Sequence, residues 1–166
     1  MIVQKFKTAL LLSVTLFSLN TFANSEEDLK VNSDFQDLNY KNNTLHFYGN
    51  VLVSQGNISI KADDLFVETQ DGVGQKLIAK GKPAEFKQTG VENGDLIATA
   101  TEIVYTVDLQ VLKLNGEAKF QQGGSLVESG NIEFDLKAQR VKADGDQATG
   151  GRVITTIKTK KQPDAN

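Results

Sequence analysis

The sequence predicts an all-β fold: a twisted, partly open antiparallel β jelly roll, a solenoid-like stack of strand-pair repeats about 30 residues long. Three observations carry this. Apolar residues recur at every second position, the period of a strand with one buried face, and past the N-terminal segment no stretch sustains the 3.6-residue period of a helix. Valine, isoleucine, threonine and phenylalanine are frequent, and these suit a pleated, half-buried surface. One pattern also repeats in alignment on glycine: NTLHFYG ends at Gly49, QKLIAKG at Gly81, QVLKLNG at Gly116 and QRVKADG at Gly145.

The chain begins outside that pattern. MIVQKFK brings Lys5 and Lys7 and no acid, ALLLSVTLFSL is apolar but too short to span a bilayer, and Thr21 and Ala23 stand at the small-residue positions of a cleavage site. Residues 1–23 are therefore expected to be a cleaved signal peptide, 24–157 the β domain and 158–166, KTKKQPDAN, a polar disordered tail. Cleavage after Ala23 leaves 143 residues, with 16 basic against 21 acidic side chains.

Within the domain, LKVNSDF (29–35) reads as the first strand block. Leu45, Phe47, Val51 and Val53 then alternate with mostly polar neighbours; Ile58, Ile60 and Ala62 follow, and Leu65 and Val67 resume with the phase moved by one. Such a slip without a turn signal marks a bulge or corner. After Gly49, Gly81 and Gly116 an apolar residue and then a glutamine recur: Val53 with Gln55, Phe86 with Gln88, Phe120 with Gln122. A second block is shared by SDFQDLNY, ADDLFVE, ATEIVYT and SGNIEFD. Each unit thus reads as a strand block, a short link, a second strand block ending in glycine, and a polar turn. QDGVGQ (70–75), QTGVENGD (88–95) and QGGS (122–125) are loops by composition. Gly49 and Gly116 are expected at equivalent bends, with φ > 0 or a neighbour too close for a Cβ.

The same residues exclude several chemistries. No cysteine is present, so neither disulfides nor thiolate catalysis applies. The acidic balance argues against nucleic acid as a partner. The sole histidine, His46, reads as a surface residue, and Asp63 and Asp64 as corner aspartates bonding local backbone, since adjacent strand residues point to opposite faces. No nucleophile-elbow, zinc-protease, phosphate-loop or dinucleotide signature occurs. The expectation is a protein without catalysis, cofactor or metal.

VNSDFQDLNYKNNTLHFYGNVLVSQGNISIKADDLFV (31–67), GKPAEFKQ (81–88) and GGRVITTI (150–157), in that order, resemble the OstA-like family of periplasmic lipopolysaccharide-transport bridge proteins of the Lpt system. The resemblance spans nearly the whole exported chain. It implies an incompletely closed jelly roll in the periplasm that binds lipid A acyl chains inside a trough and carries lipopolysaccharide toward the outer membrane. It also implies head-to-tail strand addition. The N-terminal edge would meet an inner-membrane Lpt component, the C-terminal edge an outer-membrane one, and successive copies would join as a homo-oligomer.

Combined with alternation, the expected lipid contacts are Leu29, Val31, Val53, Ile58, Ile60, Phe86, Ile103, Tyr105, Val107 and Phe120. The sequence leaves open whether the space between them is a groove or a packed core. The expected partner edges are Leu29 and Val31 at the start and Arg152, Val153, Ile154, Thr155, Thr156 and Ile157 at the end. Of Ile154 and Thr156, one is expected to turn its backbone groups to the free edge. The alternative function is a secreted β-solenoid module that self-assembles edge to edge without lipid. A glycan-active β-helix enzyme would need a column of acids that is not found.

Overall fold

The alternating runs form ten strands in the computed structural model, which describes residues 27–159 apart from 40, 42, 70–74 and 146–150. The expected signal peptide, most of the QDGVGQ loop and the tail beyond Thr159 lie outside the described residues. The strands are β1 (Lys30–Asn32), β2 (Phe35–Asn39), β3 (Thr44–Gln55), β4 (Ile58–Thr69), β5 (Gln75–Gln88), β6 (Leu96–Thr106), β7 (Val111–Gln122), β8 (Ser125–Asp135), β9 (Arg140–Asp144) and β10 (Ile154–Ile157). They make one antiparallel sheet in the order β1-β3-β4-β5-β6-β7-β8-β10, with β2 also on β3 and β9 also on β8.

The sheet is folded along a line through the middle of its long strands. Pairing shifts register at one place in each: between Tyr48 and Val51 on β3, Lys61 and Asp64 on β4, Lys80 and Ala84 on β5, Thr99 and Glu102 on β6, and Asn115 and Ala118 on β7. Each long strand therefore contributes one half to each of two facing layers. Layer A holds β1, the halves around Val53, Ile60, Phe86, Ala98, Phe120 and Val127, and β10. Layer B holds β2, the other halves and β9. The phase slip from Ala62 to Leu65 is this corner.

The repeat glycines lie on the fold line, which corrects the expected unit boundaries. Gly49, Gly81 and Gly116 sit inside β3, β5 and β7, and the strands end only at Gln55, Gln88 and Gln122. A turn follows the glutamine, not the glycine. Gly49 and Gly116 have φ of +78° and +76°, and the next residues, Asn50 and Glu117, also have positive φ. These paired left-handed residues turn the strand without ending it. The positive-φ part of the glycine expectation therefore holds; what crowds each α-carbon is a side chain, since a Cβ at Gly49 would come within 2.8 Å of the Asp34 carboxylate and one at Gly116 within 3.0 Å of Thr101 Oγ1. At Gly81 the reason is close approach: a Cβ would stand 2.8 Å from the Ala84 nitrogen.

Inward rows run straight across the strands. In layer A, Val31, Val53, Ile60, Phe86, Ala98, Phe120, Val127 and Thr155 are successive register partners. In layer B, Leu38, Leu45, Val67, Leu77, Tyr105, Leu112, Phe134 and Val141 are. Where the layers meet, Phe86 packs edge-on to Tyr105 at 5.5 Å between ring centroids, and Phe120 lies 4.7 Å from Phe134. No polar or charged residue is buried among the described residues. On the outer faces, directly opposed register partners form ion pairs: Lys61–Glu85, Lys76–Glu68, Lys80–Glu102, Lys113–Glu133 and Lys119–Glu128, at 2.9–3.8 Å.

Candidate functional site

The rows give the molecule an apolar trough between the layers, closed along the corner and reaching both edges of the sheet. At the N-terminal edge Leu29, Val31, Leu45 and Phe47 are only partly buried; at the C-terminal edge Val127, Val141 and Ala143 are. Burial, and after it the nearby Asp108 carboxylate, raise the pKa of the Tyr105 phenol above its usual value.

The expected lipid contacts divide in two. Val53, Ile60, Phe86, Ile103, Tyr105 and Phe120 are buried core, packed by one another in the free protein. Leu29, Val31, Ile58 and Val107 are partly buried at the margins. Ile58, Tyr105 and Val107 converge on a lateral mouth of about 590 Å³ opposite the corner, where the free margins of the two layers approach. Sequence reasoning missed the polar rim of that mouth, which includes Glu27, Gln55, Asp108, Gln110 and Lys137. Hydrogen bonds outside the strands tie each layer to itself. In layer A Thr89 bonds Asn57 and Lys158 bonds Gly124; in layer B Val107 bonds Gln75 and Leu136 bonds Gln110.

The edges also differ from expectation. Leu29 lies before β1, and Arg152 and Val153 lie before β10. Each edge consists of two short strands, because each end of the sheet must finish both layers: β1 and β2 at one end, β9 and β10 at the other. β9 is the strand block QRVKADG, and the sequence marks it as the last of its kind. Its glycine, Gly145, is not followed by the apolar residue and glutamine found after the other three. Both edges are exposed, with Phe35 60% accessible, Ile154 58% and Ile157 69%. The N–H of Lys158 donates to Gly124 O. Hydrogen-bonding direction repeats every second residue. So Ile154 and Thr156 both point into β8, and Thr155 and Ile157 face the free edge, which corrects the expected contrast between 154 and 156.

His46 is not a bare surface residue. Its ring stacks on Phe66 at 4.2 Å and on Tyr48 at 5.0 Å, and its Nε2 lies 2.9 Å from Asp64 Oδ1. Asp64 thus bonds across the β3–β4 pair rather than to local backbone.

A family model described as LptA/(LptD N-terminal domain) LPS transport protein matches residues 30–140. The chain is 31% identical over 175 residues to the lipopolysaccharide export system protein LptA of Escherichia coli K12, covering 98% of this chain and 94% of that protein. It is 27% identical over 132 residues to the lipopolysaccharide export system protein LptH of Pseudomonas aeruginosa, covering 78% of this chain and 74% of that protein. The crystal structure of LptH, the LptA homologous periplasmic component of that organism's lipopolysaccharide transport device, superposes with a TM-score of 0.74 at 22% identity. It covers 80% of this chain and 96% of that one, a likeness of fold.

Proposed function

The chain belongs to the LptA/LptD N-terminal-domain family of lipopolysaccharide-transport proteins, and on that premise we propose that it is a periplasmic carrier that holds lipopolysaccharide by its acyl chains and passes it from the inner toward the outer membrane. The observation that carries this reading is an uncharged interior whose apolar rows reach both open edges. A lipid tail gains about 0.8 kcal/mol per buried methylene there, so several tails are held without an ion pair.

In the free protein Phe86, Tyr105, Phe120 and Phe134 fill the trough. Lipid enters as the layers splay about the corner from the side of the mouth, exchanging side-chain contacts for acyl contacts. Ile58, Tyr105 and Val107 meet the chains first, and Leu29, Val31, Val53, Ile60, Phe86, Ile103 and Phe120 line the path once it opens. Catalysis has no part in this. Residues 1–23 direct export and are removed.

Each layer contains eight alternating segments. Its first and last therefore run antiparallel, and a second copy stacked in the same orientation continues the sheet. β1 and β2 receive the last strands of an inner-membrane Lpt component or of another copy, and β9 and β10 receive an outer-membrane component. The grooves then join head to tail into one path.

Val107→Asp tests the trough. A charge at the mouth must be stripped of water when acyl chains arrive, so lipopolysaccharide should bind about tenfold or more weakly to the folded variant. Unchanged binding would count against the trough. A folded, self-associating wild-type chain that binds no lipopolysaccharide would favour the structural-module alternative.

A further inference from the structure

We infer that the two edges are a charge-coded, in-register joint for a second copy of this chain, with Asp37 of one copy opposite Lys142 of the next. This rests on the head-to-tail reading above and adds what that reading leaves open: the register of the joint and the charges that set it.

The first observation is charge. Over residues 27–39 the N-terminal edge carries Glu27, Asp28, Asp34 and Asp37 against Lys30, a net −3. From Arg140 to Lys158 the C-terminal end carries Arg140, Lys142, Arg152 and Lys158 against Asp144 and Asp146, a net +2. Two N-terminal edges repel, as do two C-terminal ones, and only the unlike pairing is attractive.

The second observation is the corner. A copy that slips along the strand direction moves its segments away from the fold line in one layer and toward it in the other. Only one register continues both layers at once. It sets Asn32 against Ile154 and Phe35 against Asp144, the residues that flank the corner on the two edges. Extending the rows by that rule places Leu38 beside Val141 and Val31 beside Thr155 on the inner faces, so no charge enters the trough. A one-residue slip would turn Asp37 inward.

The third observation is what the outer face does with opposed charges. Asp37, His46, Phe66, Ile78, Val104, Lys113, Glu133 and Lys142 form one row across layer B. Glu133 is taken by Lys113 at 3.4 Å and His46 by Asp64. That leaves Asp37 and Lys142, at the two ends, without an ion-pair partner among the described residues. Stacking in register brings them together and extends the same directly opposed ion pairing into the next copy.

The test is sedimentation of the full exported chain as wild type, Asp37→Lys, Lys142→Asp and the double variant, with Thr155→Pro as the control for strand addition. Each single reversal should weaken association about tenfold. The double variant, and an equimolar mixture of the two singles, should restore it to within about threefold of wild type, since both recreate an unlike pair. Wild-type association should weaken as salt is raised. Singles that associate normally, or a double variant and mixture as weak as the singles, would overturn the register while Thr155→Pro still abolishes association. Association that survives in a folded Thr155→Pro protein, or a wild type that does not associate, would overturn the head-to-tail reading and the joint with it.

Discussion

Phe86→Ala reports directly on whether the free trough is packed or empty. The Phe86 side chain is 0% exposed, stands in the middle of its inward row, and is edge-on to Tyr105 from the opposite layer at 5.5 Å. Removing a fully buried phenyl ring costs its transfer free energy plus a cavity, about 3–5 kcal/mol. Set against a total of roughly 5–15 kcal/mol for a native domain, that is a large fraction. At about 3 °C per kcal/mol for a domain of this size, Tm should fall by roughly 10–15 °C. A double-mutant cycle with Tyr105→Leu should give a coupling of about 0.5–1.5 kcal/mol, since the ring pair is lost once. Urea unfolding measures both, and the m-value should be unchanged. A loss under about 1.5 kcal/mol would mean that Phe86 faces open space, and the account of a self-filled trough would fail. The folded variant should still take up lipopolysaccharide, because acyl chains occupy the vacated volume.

Gly116→Val should cost about 2–3 kcal/mol, from a branched residue at φ +76° and the displacement of Thr101, and Gly116→Asn about 1 kcal/mol less, because asparagine tolerates that conformation. Gly49→Val should behave alike by thermal unfolding, and a neutral valine at both sites would contradict the corner. The raised pKa of Tyr105 means that the folded state holds the phenolic proton more tightly than the unfolded state. Its contribution is complete below the unfolded value near 10.0 and is lost as pH rises from there through the folded value. Stability measured from pH 8 to 11 should therefore fall above about 10 in the wild type and fall less in Tyr105→Phe.

Much of the fold was legible because strand periodicity and glycine are local signals. Val31, Val53, Ile60, Phe86 and Phe120 were expected on the inner face from alternation together with the family resemblance, and register places them in a single row. The glycines were legible as bends but not as mid-strand bends. A left-handed pair such as Gly49–Asn50 uses the same conformations as a hairpin turn, and only pairing on both sides shows that the strand continues. Filled and open troughs share one alternation, since packing depends on the separation of the layers and not on the pattern within a strand. The Asp64–His46 bond joins residues 18 apart in the chain, so it depends on register, which the sequence does not print. The double-stranded edges follow from a fold line that every strand must cross, and short β2 and β9 become intelligible only after that line is drawn.

Photocrosslinking in living cells reads out whether acyl chains occupy the space between the two layers. A photoreactive residue at Tyr105 looks into the trough; the same residue at Val104, one step along β6, looks outward. If acyl chains lie in the trough, position 105 gives a lipopolysaccharide adduct and position 104 gives none. No adduct from 105, or equal adducts from both, would contradict it.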